Sequence, residues 1–133
     1  MRGSLRRRTG RVRDERGAAA VEFALVVSVL LLIVFGIIEF GQFYSRYEVF
    51  TSAAREGARV ASVRGTASDV VARVDEASTP YTPSATPTVS TTCDETTVGD
   101  PVTVSWPQTF SISLPLVPPI DTTVTIQGVF RCE

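Results

Sequence analysis

The stretch AAAVEFALVVSVLLLIVFGII, residues 18–38, decides how this chain folds. Glu22 is its only charged residue, and residues 23–38 carry no charge at all. A helix rises about 1.5 Å per residue, so about 20 such residues match a hydrocarbon core of about 30 Å. Apolar side chains occur all round this helix, which suits lipid better than a protein surface. We therefore predict a transmembrane helix over residues 18–38.

Two other interpretations of this segment are weaker. A cleaved secretory signal has a shorter apolar region that ends in small residues, whereas this one runs into Glu-Phe-Gly-Gln-Phe-Tyr at 39–44. A buried core helix needs a larger surrounding domain than a chain of 133 residues supplies.

Charge is unevenly distributed on the two sides of the segment. Residues 1–17 carry seven arginines against two acids, whereas the whole chain has a net charge of -1. Arginines that precede a span place the N-terminus in the cytoplasm. We predict a single-pass protein of the cytoplasmic membrane, with residues 1–17 as a basic cytoplasmic leader and the C-terminal domain outside. Because topology explains the arginines, we expect no nucleic-acid partner.

The composition argues against an enzyme. The chain has no histidine and two cysteines, which removes the usual proton shuttle and a metal site of ordinary spacing. No nucleophile–base pair stands out, and the adjacent Asp94 and Glu95 are typical of a solvated turn. We predict no catalytic residue, no metal and no cofactor, and a membrane-tethered hydrolase is the weakest hypothesis.

A carboxylate such as Glu22 near the cytoplasmic end of a membrane helix is energetically unfavourable, and ionisable residues in membrane helices usually have a function. If the chain were cut after Gly17, Ala18 would carry a new ammonium group and Glu22 would be the fifth residue of the mature protein. The two groups lie one helical turn apart, and Glu22 of a neighbouring subunit could equally meet that amine. Such a pair would offset the cost of either charge, provided that its geometry is good.

A basic leader that ends in glycine, followed by small residues, Glu22 and an apolar helix, resembles the type IV pilin family. The strings RGAAAVEFALV, FGIIEFGQFY and SAAREGARVAS, within residues 11–62, resemble more closely the TadE-like proteins of the tight-adherence (Flp) pilus systems. These relatives are minor pilins or pseudopilins. The resemblance therefore implies a minor component of pilus biogenesis, located in the membrane or in a surface pilus.

The resemblance also implies partners and site residues. A prepilin peptidase would cleave between Gly17 and Ala18, and Glu22 and Phe23 would direct assembly with other pilins or pilus assembly proteins. Phe23 stands where the major Flp pilins have tyrosine, and this chain is much longer than those pilins, so both departures favour a minor component. The alternative is an unprocessed, membrane-anchored adhesin or adaptor.

We predict an α+β fold, in which a long helix precedes a small domain outside the cytoplasm. Residues 39–64 continue the membrane helix, and residues 65–78 form a short helix that a capping box starts at Thr66 and Asp69. Residues 79–92, rich in proline and threonine, are expected to be an extended, solvated linker. Residues 93–133 are expected to form a β-rich module.

Period-two alternation predicts half-buried antiparallel strands in this module. Within each of three apolar sets, the side chains are expected to lie on the same face of the sheet. The sets are Val102, Val104 and Trp106; Phe110, Ile112 and Leu114; and Val124, Ile126 and Phe130. Cys93 precedes the first clear strand and Cys132 follows the last, so we predict a disulfide that closes the module. Two free redox-active thiols are the less favoured alternative.

Three patterns in the continued helix have open interpretations. Small residues at helical spacing, which are Ser52, Ala53, Ala54, Gly57, Ala58 and Ala61, could dock a neighbouring subunit or the chain's own domain. The aromatic residues Phe40, Phe43, Tyr44 and Tyr47 suit either the outer membrane interface or a core stripe. Glu56 and Arg59 are spaced to form an ion pair.

Overall fold

The longest element is a single helix. A computed structural model describes residues 11–115 and 117–133, with side chains from Gly17 onward, so most of the predicted leader lies outside the described residues. Helix α1 runs from Arg11 to Ser62, which corresponds to a length of about 78 Å. It carries no proline, and it continues without interruption from the apolar segment into the small domain.

Helix α1 ends in a Schellman motif, two residues before the predicted boundary. The Gly65 amide donates to the Val60 carbonyl at 3.0 Å, and the Arg64 amide donates to the Ala61 carbonyl at 3.3 Å. Arg64 adopts the left-handed conformation, with φ of 67°. A Cβ on Gly65 would lie 2.6 Å from the Val60 carbonyl oxygen. Gly65 is therefore needed for this close approach, and Arg64 supplies the turn.

Helix α2 spans Ala67–Ser78 and begins at the capping box that the sequence predicts. The Asp69 amide donates to the Thr66 hydroxyl, and the Asp69 carboxylate accepts from the Thr66 amide at 2.9 Å. The side-chain hydrogen bond from Thr66 is the main cause that lowers the pKa of Asp69. Val70 and Val74 are buried against α1, which orients the second helix across the first.

A three-stranded antiparallel sheet completes the fold, and the α+β prediction is confirmed. Strand β1 is Thr88–Val89, β2 is Pro101–Ile112 and β3 is Ile120–Arg131, in the order β1-β2-β3. The long hairpin pairs Val102 with Phe130 and Trp106 with Ile126. These residues share the face that α1 covers, and Trp106 and Ile126 are buried in the core.

Strand β2 corrects one detail of the predicted sheet. Phe110 was assigned to a different face from Val102 and Trp106, but β2 runs unbroken through Pro107 and all three lie on one buried face. The proline is tolerated because odd-numbered residues such as Thr103 and Thr109 direct their amides away from β3. Ser105 is the last residue of β2 that pairs with β1, and Pro107 lies beyond it. The missing amide hydrogen of Pro107 therefore removes no hydrogen bond between strands.

The segment 79–92 packs on the domain, which differs from the solvated linker expected. It contains β1, and Pro87 is buried. The backbone amide of Ser84 donates to the side-chain oxygen Oε1 of Gln108 at 2.9 Å, and the side-chain Nε2 of Gln108 donates to the Ser84 hydroxyl at 2.7 Å. Composition predicted a linker because proline and threonine favour extended backbone, but extended backbone can also line a sheet.

The small residues of α1 form its contact with the chain's own domain. Ala53, Ala54 and Ala58 are fully buried, whereas Ser52 is exposed. A Cβ on Gly128 of β3 would lie 2.3 Å from the Ala54 carbonyl oxygen, and one on Gly57 would lie 2.6 Å from a Val74 methyl group. The structure thus resolves the choice between intramolecular and intermolecular docking of this stripe in favour of the domain.

Two of the four aromatic residues form the expected core stripe. Phe43 packs on Phe110 with ring centroids 4.9 Å apart, and Tyr47 stacks beside Phe43. Phe40 and Tyr44 are exposed. The predicted pairing of Glu56 with Arg59 is not observed, because Glu56 instead forms an ion pair with Arg73 of α2 at 3.0 Å. Arg73 also pairs with Glu76, and its pKa is raised, mainly by the hydrogen bond to Glu56.

Candidate assembly and membrane interface

The N-terminal half of α1 presents an apolar surface that the described chain leaves largely exposed. Every residue from 17 to 35 is exposed except the half-buried Val27. Phe23 is 70% exposed, and large side chains such as Leu25 and Ile33 are more than half exposed. In the part of the chain that the structure describes, this is the one helix long and apolar enough to cross a membrane, and its apolar window is not buried. Such a surface requires lipid or protein around it.

The two predicted cleavage residues and the two predicted assembly residues lie together at the start of this surface. Gly17, Ala18, Glu22 and Phe23 occupy two consecutive turns of α1, and all four are exposed. Ala18 and Glu22 are separated by one turn, a rise of about 6 Å, so they project from the same side of the helix. A charge on Ala18 would therefore lie within reach of the Glu22 carboxylate of the same chain or of an adjacent one.

Gly17 is unhindered in the described structure. A Cβ at this position would meet no atom within 4 Å. The peptide bond that follows it nevertheless lies inside α1, so a protease would need to unwind the helix locally. Glycine lowers that cost, since it destabilises a helix interior by about 1 kcal/mol relative to alanine.

The two cysteines lie at the other end of the molecule. Cys93 and Cys132 are joined by a disulfide, and both are buried. The amide of Glu133 donates to the carbonyl of Ser62 at 3.0 Å, which anchors this end of the sheet to the end of α1. Forty helical residues separate Glu22 from Ser62, a distance of about 60 Å. The disulfide therefore supports the domain and cannot contribute to the Glu22 site.

A second apolar feature, which the sequence analysis did not single out, lies beside α1. The hairpin tip, described for residues 113–115 and 117–119 between β2 and β3, lies along α1 towards the N-terminus of the helix. Ile112 and Leu114 line a pocket with Gly36, Glu39 and Phe40 of α1. Closer to the N-terminus of α1, Pro115 lines a second pocket together with Ser28, Leu31, Leu32 and Phe35. The signal that could have identified it is the uncharged string LPLVPPI at 114–120, which is unusually apolar for a hairpin turn.

Comparison with known protein families identifies the helix. Residues 17–59 match the family model described as TadE-like protein. The N-terminal helix is TadE-like. The resemblance to this family is thereby confirmed over a segment that begins at Gly17 and ends three residues before α1 does. Neither the curated proteins nor the solved structures gave a match.

The TadE-like segment, residues 17–59, includes the predicted cleavage and assembly residues and most of the core residues that α1 contributes. Phe50, Ala54 and Ala58 contribute to that core from within it. Helix α2, the sheet and both cysteines lie outside the matched residues. The match thus supports a membrane-associated role related to Tad pili through the helix, and it carries no information on the outer domain.

The acidic pair Asp94 and Glu95 belongs to a turn. The Asp94 carboxylate accepts from the amides of Thr96 and Thr97 at 2.7 and 3.1 Å. Its pKa is lowered, chiefly by a hydrogen bond from the Thr96 hydroxyl, so the carboxylate is held charged by its own turn. Within residues 11–115 and 117–133, no three histidine, cysteine or acidic side chains cluster in a way that could hold a metal ion.

Proposed function

We propose that this chain is a minor pilin or pseudopilin of Tad (Flp) pilus biogenesis, which a prepilin peptidase cleaves after Gly17 and which assembles through its N-terminal helix. The observation that carries the proposal is the TadE-like match, which begins at Gly17 on a helix whose apolar surface is exposed. The proposed role is structural and not catalytic.

The charge of Glu22 supports the assembly step. A lone carboxylate on an apolar, lipid-facing helix is unfavourable, because hydrocarbon offers it neither water nor a partner. Cleavage after Gly17 would supply an ammonium group at Ala18. If an adjacent TadE-like helix were shifted along its axis by about one turn, the amine of one chain would meet Glu22 of the next. Each contact would neutralise two charges that the membrane disfavours, which gives the axial shift a defined register.

The side chains around Glu22 favour close packing of helices. Ala18, Ala19 and Ala20 precede it, and small residues allow helix backbones to approach closely in a membrane. Phe23, 70% exposed, offers a large apolar side chain directly beside the carboxylate. We propose that the alanines admit the partner helix and that Phe23 excludes lipid headgroups and water from the ion pair.

The orientation that fits this function places the leader in the cytoplasm and the disulfide-linked domain outside. Seven arginines precede the apolar segment, which favours retention of that end inside the cell. The Cys93–Cys132 disulfide is stable in an oxidising compartment and would be reduced in most cytosols. The two arguments are independent and give the same topology.

Replacement of Glu22 by glutamine tests the assembly role. Glu22→Gln keeps the side-chain volume but removes the charge, so the variant should still be inserted and cleaved. Its co-purification with other pilus proteins should fall at least tenfold, because loss of one partner of a desolvated ion pair costs about 3 kcal/mol. The measurement is the amount of partner protein recovered with the tagged full chain from detergent-solubilised membranes.

Glu48→Gln is the matched control. Glu48 is exposed on the same helix but lies beyond the apolar segment, so its replacement should leave co-purification unchanged. Wild-type recovery of partners by Glu22→Gln would refute the assembly role of this carboxylate.

A further inference from the structure

The hairpin tip and α1 change from polar to apolar at the same level. Glu39, Gln42 and Arg46 of α1 line one pocket together with Ser111 and Ser113 of the hairpin, and the rings of Phe43 and Phe110 complete its lining. Towards the N-terminus of α1, the next pocket is apolar except for Glu39 at its upper edge, and Pro115 then lines a pocket with Ser28, Leu31, Leu32 and Phe35. Two separate parts of the chain thus share one polarity boundary, as expected for elements that cross the same interface.

The position of this boundary sets the depth of the tip. If residues 18–38 span the hydrocarbon core, the outer end of the span is near Ile38. Ser28 and Phe35, which bracket Pro115, lie roughly 5–15 Å below that level. Raising the tip above the membrane would leave only residues 18–27 as the span, about 15 Å of helix, which is half of what a bilayer requires. The span and a fully hydrated tip are therefore incompatible.

The chemistry of the tip suits lipid. Residues 113–120 carry no charge, and Val117 and Ile120 are 43% and 55% exposed. Backbone donors are the usual obstacle to placing a loop in hydrocarbon. Proline has no amide hydrogen, and three of the seven residues between the last paired residues, Ile112 and Ile120, are prolines. The Val117 amide already donates to the Leu114 carbonyl.

We infer that the hairpin tip is a second membrane contact, which inserts beside α1 into the leaflet that faces the folded domain and binds lipid acyl chains. The depth agrees with the 5–10 Å to which apolar faces of interfacial elements are buried. The inference goes beyond the pilus role and rests only on the membrane span of α1. The insertion holds the outer domain against the membrane, so residues 39–62 cannot project as a free stalk.

Fluorescence quenching by lipids tests the insertion. The full chain, with its native cysteines kept in their disulfide, is labelled at a single new thiol, Val117→Cys, and reconstituted at low density into phosphatidylethanolamine–phosphatidylglycerol vesicles. A nitroxide on the lipid acyl chain should quench an environment-sensitive label at this position more strongly than a nitroxide on the headgroup. The emission should also shift to shorter wavelength.

Two matched variants control the experiment. Leu30→Cys, within the span, should be quenched by the acyl-chain nitroxide whether or not the tip inserts. Val129→Cys is 53% exposed on β3 and lies at the far end of the hairpin, so it should not be quenched. Quenching at residue 30 with none at residue 117 would overturn the inference while leaving the membrane span intact. Shielding of residue 117 from water without lipid quenching would also overturn it, because protein would then cover the tip.

Discussion

Gly128 lies where β3 passes beneath α1, and the distance there allows no side chain. A Cβ would lie 2.3 Å from the Ala54 carbonyl oxygen and 2.6 Å from the Arg55 amide nitrogen. Both are backbone atoms of a helix, so neither can rotate away. The helix and the sheet would have to separate, and the buried contacts of Trp106 and Ile126 would loosen with them.

Gly128→Ala should therefore lower the free energy of unfolding by about 3 kcal/mol, the upper end of the usual cost of overpacking. The measurement is denaturant unfolding of the full chain in detergent micelles. Trp106, the single tryptophan, is 1% exposed and reports directly on this core.

Gly41→Ala is the control for that change. No atom lies within 4 Å of its Cβ position, and alanine favours helix, so stability should stay equal or rise by up to about 1 kcal/mol. An equal stability of Gly128→Ala and the native protein would show that α1 does not pack on β3 as described.

At the scale of single elements, the sequence predicted the features that depend on residues close together in the chain. The capping box at Thr66 and Asp69 was readable because both hydrogen bonds form within one turn. The alternation that marked β2 and β3 was readable because one face of each strand is buried. The long helix was readable because its composition alone excludes most other structures.

Other features depend on residues distant in sequence and could not be predicted. The segment 79–92 was expected to be solvated, and only the contact of Ser84 with Gln108, 24 residues away, shows why it is ordered against the sheet. Glu56 had a suitable partner three residues along, but Arg73 lies closer in the folded chain. The hairpin tip was not predicted as a membrane contact, because that role depends on which part of α1 it lies beside. No local sequence pattern encodes this position.

The disulfide is the element that compensates for the small size of the sheet. It joins residues separated by 39 positions, and by the chain-entropy model this constraint on the unfolded chain contributes about 4 kcal/mol. The double replacement Cys93→Ser with Cys132→Ser should lower the free energy of unfolding by about that amount, measured by Trp106 fluorescence in denaturant.

Thr92→Ser is the control for this double variant, since it changes an exposed residue next to Cys93 without touching the cross-link. The expected result for the control is unchanged stability. A loss below about 1 kcal/mol in the double variant would show that the helix–sheet core holds the domain without the cross-link.

At the scale of the whole molecule, one helix joins two environments. Its TadE-like segment carries an exposed apolar surface with Glu22 near the start, and the following turns form the core of a disulfide-linked domain. The C-terminal domain contacts α1 through buried small residues, so the same helix carries the exposed apolar surface and supports that domain. A change in the packing of α1 against neighbouring subunits would therefore be transmitted to the domain without a flexible joint.

The anchored adhesin or adaptor has the same topology as the proposed pilin, and what separates them is the fate of the peptide bond after Gly17. Only cleavage there liberates an amine one turn from the Glu22 carboxylate, and the assembly contact proposed for Glu22 depends on that amine.

Amino-terminal sequencing of the protein, extracted from membranes of cells with an active prepilin peptidase, is the most direct test. The proposed function predicts a mature chain that begins Ala-Ala-Ala-Val-Glu, from Ala18. An intact Met1, or a new terminus at any other position, would contradict it.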